Sequence, residues 1–411
     1  MAGEGDARIP LQLTDPDEGA RMKITAVETY LVSAPLEVVW QTGIGTGTRC
    51  DELLVVVRTD ESVYGIGSSY HSHAPLAVKA IIDEKLAPMA IGENPLDIQG
   101  VWEKLFYGSV YLGNGAVSAL SGIDIALWDI LGKITNQPIA RLLGGGGVEK
   151  VTAYVGCMVL GHKPTDELLA EAKSYADRGF KAIKVRGGAG VERDVEVVSA
   201  TRKHLPGVDV AIDMNASYSW TEAVRVAKGL GEAGAFWMED PFDYTVTNHH
   251  EEMGKLTKLN LVPIASGGNI YSRFNVRNLI QWGGVNFLTP DAVKCGGISE
   301  ALKVAHLASA HNILVAPHTL AGLGQVANVH FAAAIPAHVR AHVEWDPTRG
   351  NPIVEKLLTS PLKVVDGHIM VPQGPGLGTD INWDVVKELP FSPGEEIKGH
   401  GKRRNRRWNT L

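Results

Sequence analysis

Seven short apolar stretches in the 411-residue chain each end in side chains able to do chemistry. The endings are Lys184-Val185-Arg186, Asp213-Met214-Asn215, Glu239-Asp240-Pro241, Ser266-Gly267-Gly268-Asn269, Asp291, Pro317-His318 and Glu344. One polar residue at the end of a strand is commonly a turn former or a helix cap, so the joint pattern carries more than any member. Alternate residues on a strand share a face, so Lys184 and Arg186 point inward together or outward together. If inward, two cations meet the carboxylates of Asp213 and Glu239, with Asp291, His318 and Glu344 on the opposite side. That arrangement fits removal of a proton next to a carboxylate. The enediolate so formed needs concentrated positive charge, usually a divalent cation held by carboxylates. Asp213 and Glu239 are the candidate metal ligands. Lys184, Arg186 and His318 are the candidate acid and base groups, with Asp291 placed to orient the imidazole.

The elements that must position these groups are legible in the same region. From Val151 onward, short apolar strands alternate with amphipathic helices, the signal of parallel βα units. Candidate strands centre near Tyr154, Ile183, Ala211, Trp237, Ile264, Leu288, Val315 and Val343, at steps of 24 to 29 residues. Eight even units predict a (β/α)₈ TIM-like barrel, whose active site lies at the C-terminal ends of its strands. Upstream, Lys23–Val32, Glu52–Arg58 and Val63–Gly67 read as an antiparallel meander, with Gln41–Thr48 a flexible loop between the first two. Helical periodicity then runs from about Pro75 to Lys133. The expected organisation is a lead-in over 1–21, an α+β capping domain over 22–147, the barrel over 148–350, a returning segment over 351–390 and a basic tail over 391–411. Gly144–Gly147 marks the boundary and lacks the ending of a phosphate loop. The turn and strand in Asp366–Pro372 are expected to pack back on the capping domain.

Composition narrows the function class. Hydrophobic residues make 45% and charged residues 21% of the chain, an ordinary globular balance. Glycine, at 46 residues, is in excess with no collagen-like period, so it must serve many tight turns. The net charge of -7 divides unevenly: Lys398, Lys402, Arg403, Arg404, Arg406 and Arg407 leave 33 cations against 46 anions, or -13, over residues 1–396. An acidic body argues against nucleic acid as the main partner, and the tail reads as a solvated extension. No window is expected to reach the roughly 18 apolar residues of a membrane span. Cys50, Cys157 and Cys295 are odd in number and lack zinc-site spacing, which points to a reducing compartment; with no leader-like apolar stretch, the expectation is a cytoplasmic protein.

With those residues in view, the chain resembles the enolase superfamily, and within it the mandelate racemase subgroup of racemases and acid-sugar dehydratases. The resemblance runs from about Met22 to Asn382. It includes the Ser121-Gly122-Ile123-Asp124-Ile125-Ala126-Leu127-Trp128-Asp129 helix, the barrel and the Gly374-Pro375-Gly376-Leu377-Gly378 return. Asp213 and Glu239 are 26 residues apart and Asp291 and His318 27, in keeping with it. It implies that Asp213 and Glu239 bind Mg²⁺, that Asp291 and His318 form the base dyad, and that Glu344 hydrogen-bonds the substrate carboxylate. Asn215 is assigned to substrate binding, and the loop around Gly43–Thr48 is expected to cover the substrate. The implied fold is the TIM-like barrel with its N-terminal α+β capping domain completed by the C-terminal segment. The implied assembly is a homo-oligomer.

Two positions depart from the pattern. Arg186 stands where the subgroup has a second lysine; a guanidinium is a poor base and a competent charge stabiliser, which favours His318 as the working acid/base. Gly268 stands where the third metal ligand, a glutamate, is expected. Asn269 is then the candidate to lend an amide oxygen, since Mg²⁺ is often held by one or two carboxylates plus water and substrate oxygens. The expected activity is dehydration of an acid-sugar hydroxy-carboxylate. Racemisation, epimerisation and lactone cycloisomerisation share the same enediolate and stay open, as does a non-catalytic relative with an impaired metal site. His71-Ser72-His73 is expected to be a surface or substrate-loop feature, and Asn215-Ala216-Ser217 an irrelevant glycosylation triplet.

Overall fold

Leu53 to Val57 is an unbroken apolar run, as expected for a strand covered on both faces, and all five residues are fully buried. Alternation divides them: Leu53, Val55 and Val57 pack with the capping helices, while Leu54 and Val56 join the larger core that continues into the barrel. The computed structural model describes residues 22–394 and 397–398, except 44, 157–158, 243–248, 321, 349. The lead-in, Cys157 and all tail cations but Lys398 lie outside the described residues.

The meander consists of β1 (Ile24–Thr42), β2 (Gly45–Thr59) and β3 (Tyr64–Ser69), paired antiparallel in that order. The flexible loop expected over Gln41–Thr48 is instead the end of a long hairpin, with Gln41 opposite Thr46 and Trp40 opposite Gly47. Gly47 permits this, because a Cβ there would lie 1.9 Å from the Trp40 indole lying across it. The helix Gly113–Thr135 packs on β3. Their approach also needs glycine: a Cβ on Gly67 would stand 2.0 Å from the Gly122 carbonyl oxygen. Contrary to the sequence expectation, the stretch Val110–Thr135 is long and apolar enough to cross a membrane, but 83% of its most apolar window is buried inside the protein.

The eight expected barrel strands all form: β4 (Lys150–Val155), β5 (Ala182–Arg186), β6 (Asp209–Asp213), β7 (Met238–Glu239), β8 (Ile264–Ser266), β9 (Phe287–Leu288), β10 (Leu314–Val315) and β11 (Val343–Trp345). They pair in parallel from β4 through β10, and β11 pairs with β4. On the other side of β11, Val315 bridges Arg340 and Glu344 N donates to Pro317 O at 3.0 Å. Tyr154, Ala182, Ala211, Trp237, Ala265, Phe287 and Ala316 pack together as one layer of the interior. Large rings from some strands are matched by alanines from others, which is how a small barrel fills its centre.

The returning segment divides its attachments. β12 (Val364–Val365) and β13 (His368–Met370) form a hairpin, and β13 pairs with barrel strand β4 rather than with the capping sheet, which corrects the expected placement of Asp366–Pro372. Contact with the capping domain begins later. Leu377 N donates to Asp129 Oδ1 at 2.9 Å, Tyr64 Oη to Asp380 Oδ2 at 2.6 Å, and β14 (Ile397–Lys398) pairs with β2.

Candidate active site

Two residues beyond each member of the filled layer, the strands place a second inward layer: Gly156, Lys184, Asp213, Glu239, Gly267, Thr289 and His318. Strand periodicity fixes this, because side chains at i and i+2 share a face. Apolar filling therefore gives way to charge within one pleat. Gly156 leaves room for the last strand's acid, since a Cβ there would meet Glu344 Oε1 at 2.2 Å.

Lys184 is fully buried, and its Nζ lies 3.1 Å from both Glu239 oxygens, 3.0 Å from Glu344 Oε1 and 3.8 Å from Asp213 Oδ2. Burial alone would lower its pKa, but the three carboxylates outweigh it and hold the ammonium protonated. Burial pushes the Glu239 carboxyl up, against the pull of Lys184. Trp237 Nε1 donates to Glu239 Oε2 at 3.0 Å. Arg186, one pleat higher, donates to Asp213 Oδ2. Both strand-five cations thus point inward, and they pair directly with the carboxylates.

Asp291 and His318 form a second group. His318 Nδ1 is 2.8 Å from Asp291 Oδ2, and the other Asp291 oxygen accepts from Asn328 Nδ2 at 2.8 Å and Val293 N at 3.1 Å. An ionised carboxylate only accepts, so Nδ1 carries the proton and Nε2 is left as the basic nitrogen. Burial lowers the His318 pKa, and Lys294 lowers it further, against the opposing pull of Glu344 and Asp291. Glu344 stands between the two groups, with Oε2 3.9 Å from His318 Nε2 and accepting from Thr319 N at 3.2 Å.

The donors for a cation are oxygens. Asp213 and Glu239 are register partners on adjacent strands, and the buried Asn215 Oδ1 has no hydrogen-bond partner among the described residues. Two carboxylates and an amide oxygen suit Mg²⁺, which commonly keeps further positions for water and substrate. Among the described residues no three His, Cys, Asp or Glu side chains form a cage. Asn269 Oδ1 takes a hydrogen bond from Lys294 Nζ at 3.2 Å. Gly268 N donates to Thr289 Oγ1, and a Cβ at Gly268 would lie 3.1 Å from His318 Cδ2. A side chain at 268 would therefore press on the imidazole.

Sequence reasoning missed Thr289, Lys294 and Asn328. Asn328 left a signal: with Gln325 and His330 it is one of three buried polar residues in the mostly apolar helix Leu323–Ala334. His71, expected to be a surface or substrate-loop feature, is buried, and its loop docks on the barrel through Tyr70 N to Val293 O at 3.0 Å.

Residues 25–144 match the family described as mandelate racemase / muconate lactonizing enzyme, N-terminal domain, and residues 167–385 match the enolase C-terminal domain-like family. A D-galactarolactone cycloisomerase of Agrobacterium fabrum is 33% identical over 90% of this chain and 99% of its own. An arabinonate dehydratase of Saccharolobus solfataricus is 31% identical over 81% of this chain and 88% of its own. The crystal structure of a racemase from Streptomyces coelicolor A3(2) with bound magnesium superposes with a TM-score of 0.80, at 27% identity, over 90% of this chain and 100% of that one. The chain belongs to the enolase superfamily, in its mandelate racemase subgroup.

Proposed function

We propose that the protein is an acid-sugar dehydratase that removes the α-proton of a hydroxy-carboxylate and expels the β-hydroxyl as water. The observation that carries this is the Asp291–His318 pair, set 2.8 Å apart beside a buried cluster of carboxylates and cations. Asp213 and Glu239, with Asn215, would hold Mg²⁺, whose charge stabilises the enediolate when it is bound. His318 Nε2 takes the α-proton, and Asp291 keeps Nδ1 protonated and steadies the imidazolium that results. Arg186 and Lys184 supply fixed positive charge near the substrate carboxylate, and Glu344, when it carries a proton, donates a hydrogen bond to that carboxylate as its charge grows. The C–O bond at the β-carbon then breaks, and the departing hydroxyl takes the proton held by His318. Lys184 and Arg186 are poor donors for this step because carboxylates hold them. The resulting enol tautomerises to a 2-keto-3-deoxy acid.

Cycloisomerisation of a sugar-acid lactone is the second reading, favoured by the 33% identity to the galactarolactone enzyme. Product analysis on a panel of aldonic and aldaric acids and their lactones, with Mg²⁺ and with a chelator, separates the two. A keto-deoxy acid formed from an open-chain acid, only with Mg²⁺, supports the dehydratase. Lactone opening without dehydration of any acid supports the alternative. We place the enzyme in the cytoplasm as a homo-oligomer, a reading supported by the free thiols of Cys50 and Cys295 and by the family resemblance.

A further inference from the structure

Behind the Asp291–His318 pair stand two barrel helices, Gly297–Ala310 and Leu323–Ala334, each starting within about two turns of one member of the pair. The first four N–H groups of a helix have no partner inside it and need acceptors from elsewhere. Both helices begin behind a glycine, Gly296 and Gly322, so neither has a capping side chain at that position. Gly297 N finds a barrel acceptor, Ala292 O at 3.1 Å, but at each start one further acceptor comes from the other domain. Asp124, on the capping helix Gly113–Thr135, accepts from Ser299 N at 3.0 Å. Glu52, on β2, accepts from Leu323 N at 2.9 Å. Both acids are almost fully buried. The fit is close: a Cβ on Gly297 would lie 2.1 Å from Asp124 Oδ2, and one on Gly322 2.0 Å from Glu52 Oε2.

Other capping-domain groups grip the same loops. Ser121 Oγ accepts from Gly296 N at 3.0 Å, Trp102 Nε1 donates to Gly296 O at 2.7 Å, and Trp128 Nε1 donates to Ser299 Oγ at 2.9 Å. Asn328, on the second helix, hydrogen-bonds Asp291 directly. A path of hydrogen bonds and short chain segments thus runs from two buried capping acids, through two helix starts, to the catalytic pair.

We propose that Glu52 and Asp124 are positioning residues for the Asp291–His318 pair, so that docking of the capping domain aligns the groups that move the proton. This rests on the reading of that pair as the base. A buried acceptor costs its desolvation whether or not it is charged, and burial pushes the Glu52 and Asp124 carboxyls up to about 7. Glu52 faces the Ser68 hydroxyl and the Leu323 and Gly324 amides; Asp124 faces Ser299, Lys303 and Glu300. The helix starts therefore need the acceptor oxygen more than the charge, and an amide of the same shape can serve.

The test compares Glu52→Ala and Asp124→Ala with Glu52→Gln and Asp124→Asn, and with Asp129→Ala as a control for stability. Asp129 holds Ile66 N and Leu377 N, away from both helix starts. Each variant is assayed for kcat and KM, and the imidazole N–H of His318 is followed by NMR of protein labelled at histidine nitrogen. The expected result is a fall in kcat of about 10- to 100-fold for each alanine variant, with KM within about threefold, because misplacement of reacting groups by about 1 Å costs on that order. The His318 Nδ1 proton should exchange faster in the same variants. The amide variants should recover to within about threefold of the parent, and Asp129→Ala should lower the melting temperature while leaving kcat within about threefold. Alanine variants whose kcat and His318 signal match those of Asp129→Ala would overturn the proposal. If His318→Asn keeps full turnover, the reading of the base fails instead, and the NMR signal still decides whether the capping acids order the imidazole.

Discussion

Lys184 and His318 flank the same carboxylate, Glu344, yet the two are held in different ways. Lys184 and Asp213 sit within a ladder of five residue pairs between β5 and β6, and their mutual charges are neutralised inside the barrel. His318 and Asp291 lie just past β9 and β10, which share two register pairs, and the ladder continues through His318 N to Pro290 O at 3.2 Å, so the sheet fixes their backbone and leaves the side chains to be set by other groups. Their support comes from Asn328 and from the capping domain. Charge compensation inside the barrel rigidifies one half of the site, and domain docking rigidifies the other. A group whose job is to gain and lose a proton cannot be locked into a buried ion pair, which is a physical reason for the division.

The largest expected effect on the proton-transfer half is His318→Asn. It should lower kcat by about 10³-fold, because general acid–base catalysis contributes on the order of 10²–10⁴. On the other half, Lys184→Met leaves Glu239 and Glu344 facing each other without their shared cation. Removing one partner of a buried pair costs about 3–5 kcal/mol, so urea unfolding should show a large loss of stability that His318→Asn does not share. Unchanged stability in Lys184→Met would erase the contrast between the halves. Gly268→Ala is a smaller probe of the boundary. Its Cβ, 3.1 Å from His318 Cδ2, must displace the ring by a few tenths of an ångström, and kcat should fall about threefold with little change in stability.

The smallest effect is on pH dependence. His318 works as a base in its neutral form, and burial with Lys294 lowers its pKa, so kcat/KM should fall as pH drops below 6.5, with the limb at the lowered value. Lys294→Met removes one lowering influence and should move that limb upward. A limb that stays put would show that Lys294 does not act on His318. Stability follows the same sign: the unfolded chain takes up the proton more readily, so this contribution is present above 6.5 and is lost as pH falls through the folded value.

Much of this was legible in the chain. The eight strand centres and the residue type closing each strand follow from periodicity, because inward positions recur every second residue and the filled layer is apolar. Those rules place Lys184, Asp213, Glu239 and His318 in one layer. What periodicity cannot show is pairing between distant elements. The hydrogen bond from Lys294 to Asn269 joins two loops, and the contact of Glu52 with Leu323 joins residues 271 apart in the chain. Nor did the pattern reveal that Gln41–Thr48 continues the hairpin, since that depends on a tryptophan lying over Gly47. The spacing of two also left open which way Lys184 and Arg186 face, because it puts them on one side of the strand without saying which.

The fate of the α-hydrogen tests the central claim most directly. An acid sugar deuterated at C2, turned over with Mg²⁺, should react more slowly than the unlabelled acid and yield a 2-keto-3-deoxy product from which the C2 deuterium has been lost to solvent. A dehydrated product formed at an equal rate with the C2 deuterium retained would contradict proton abstraction by His318 as the step this site performs.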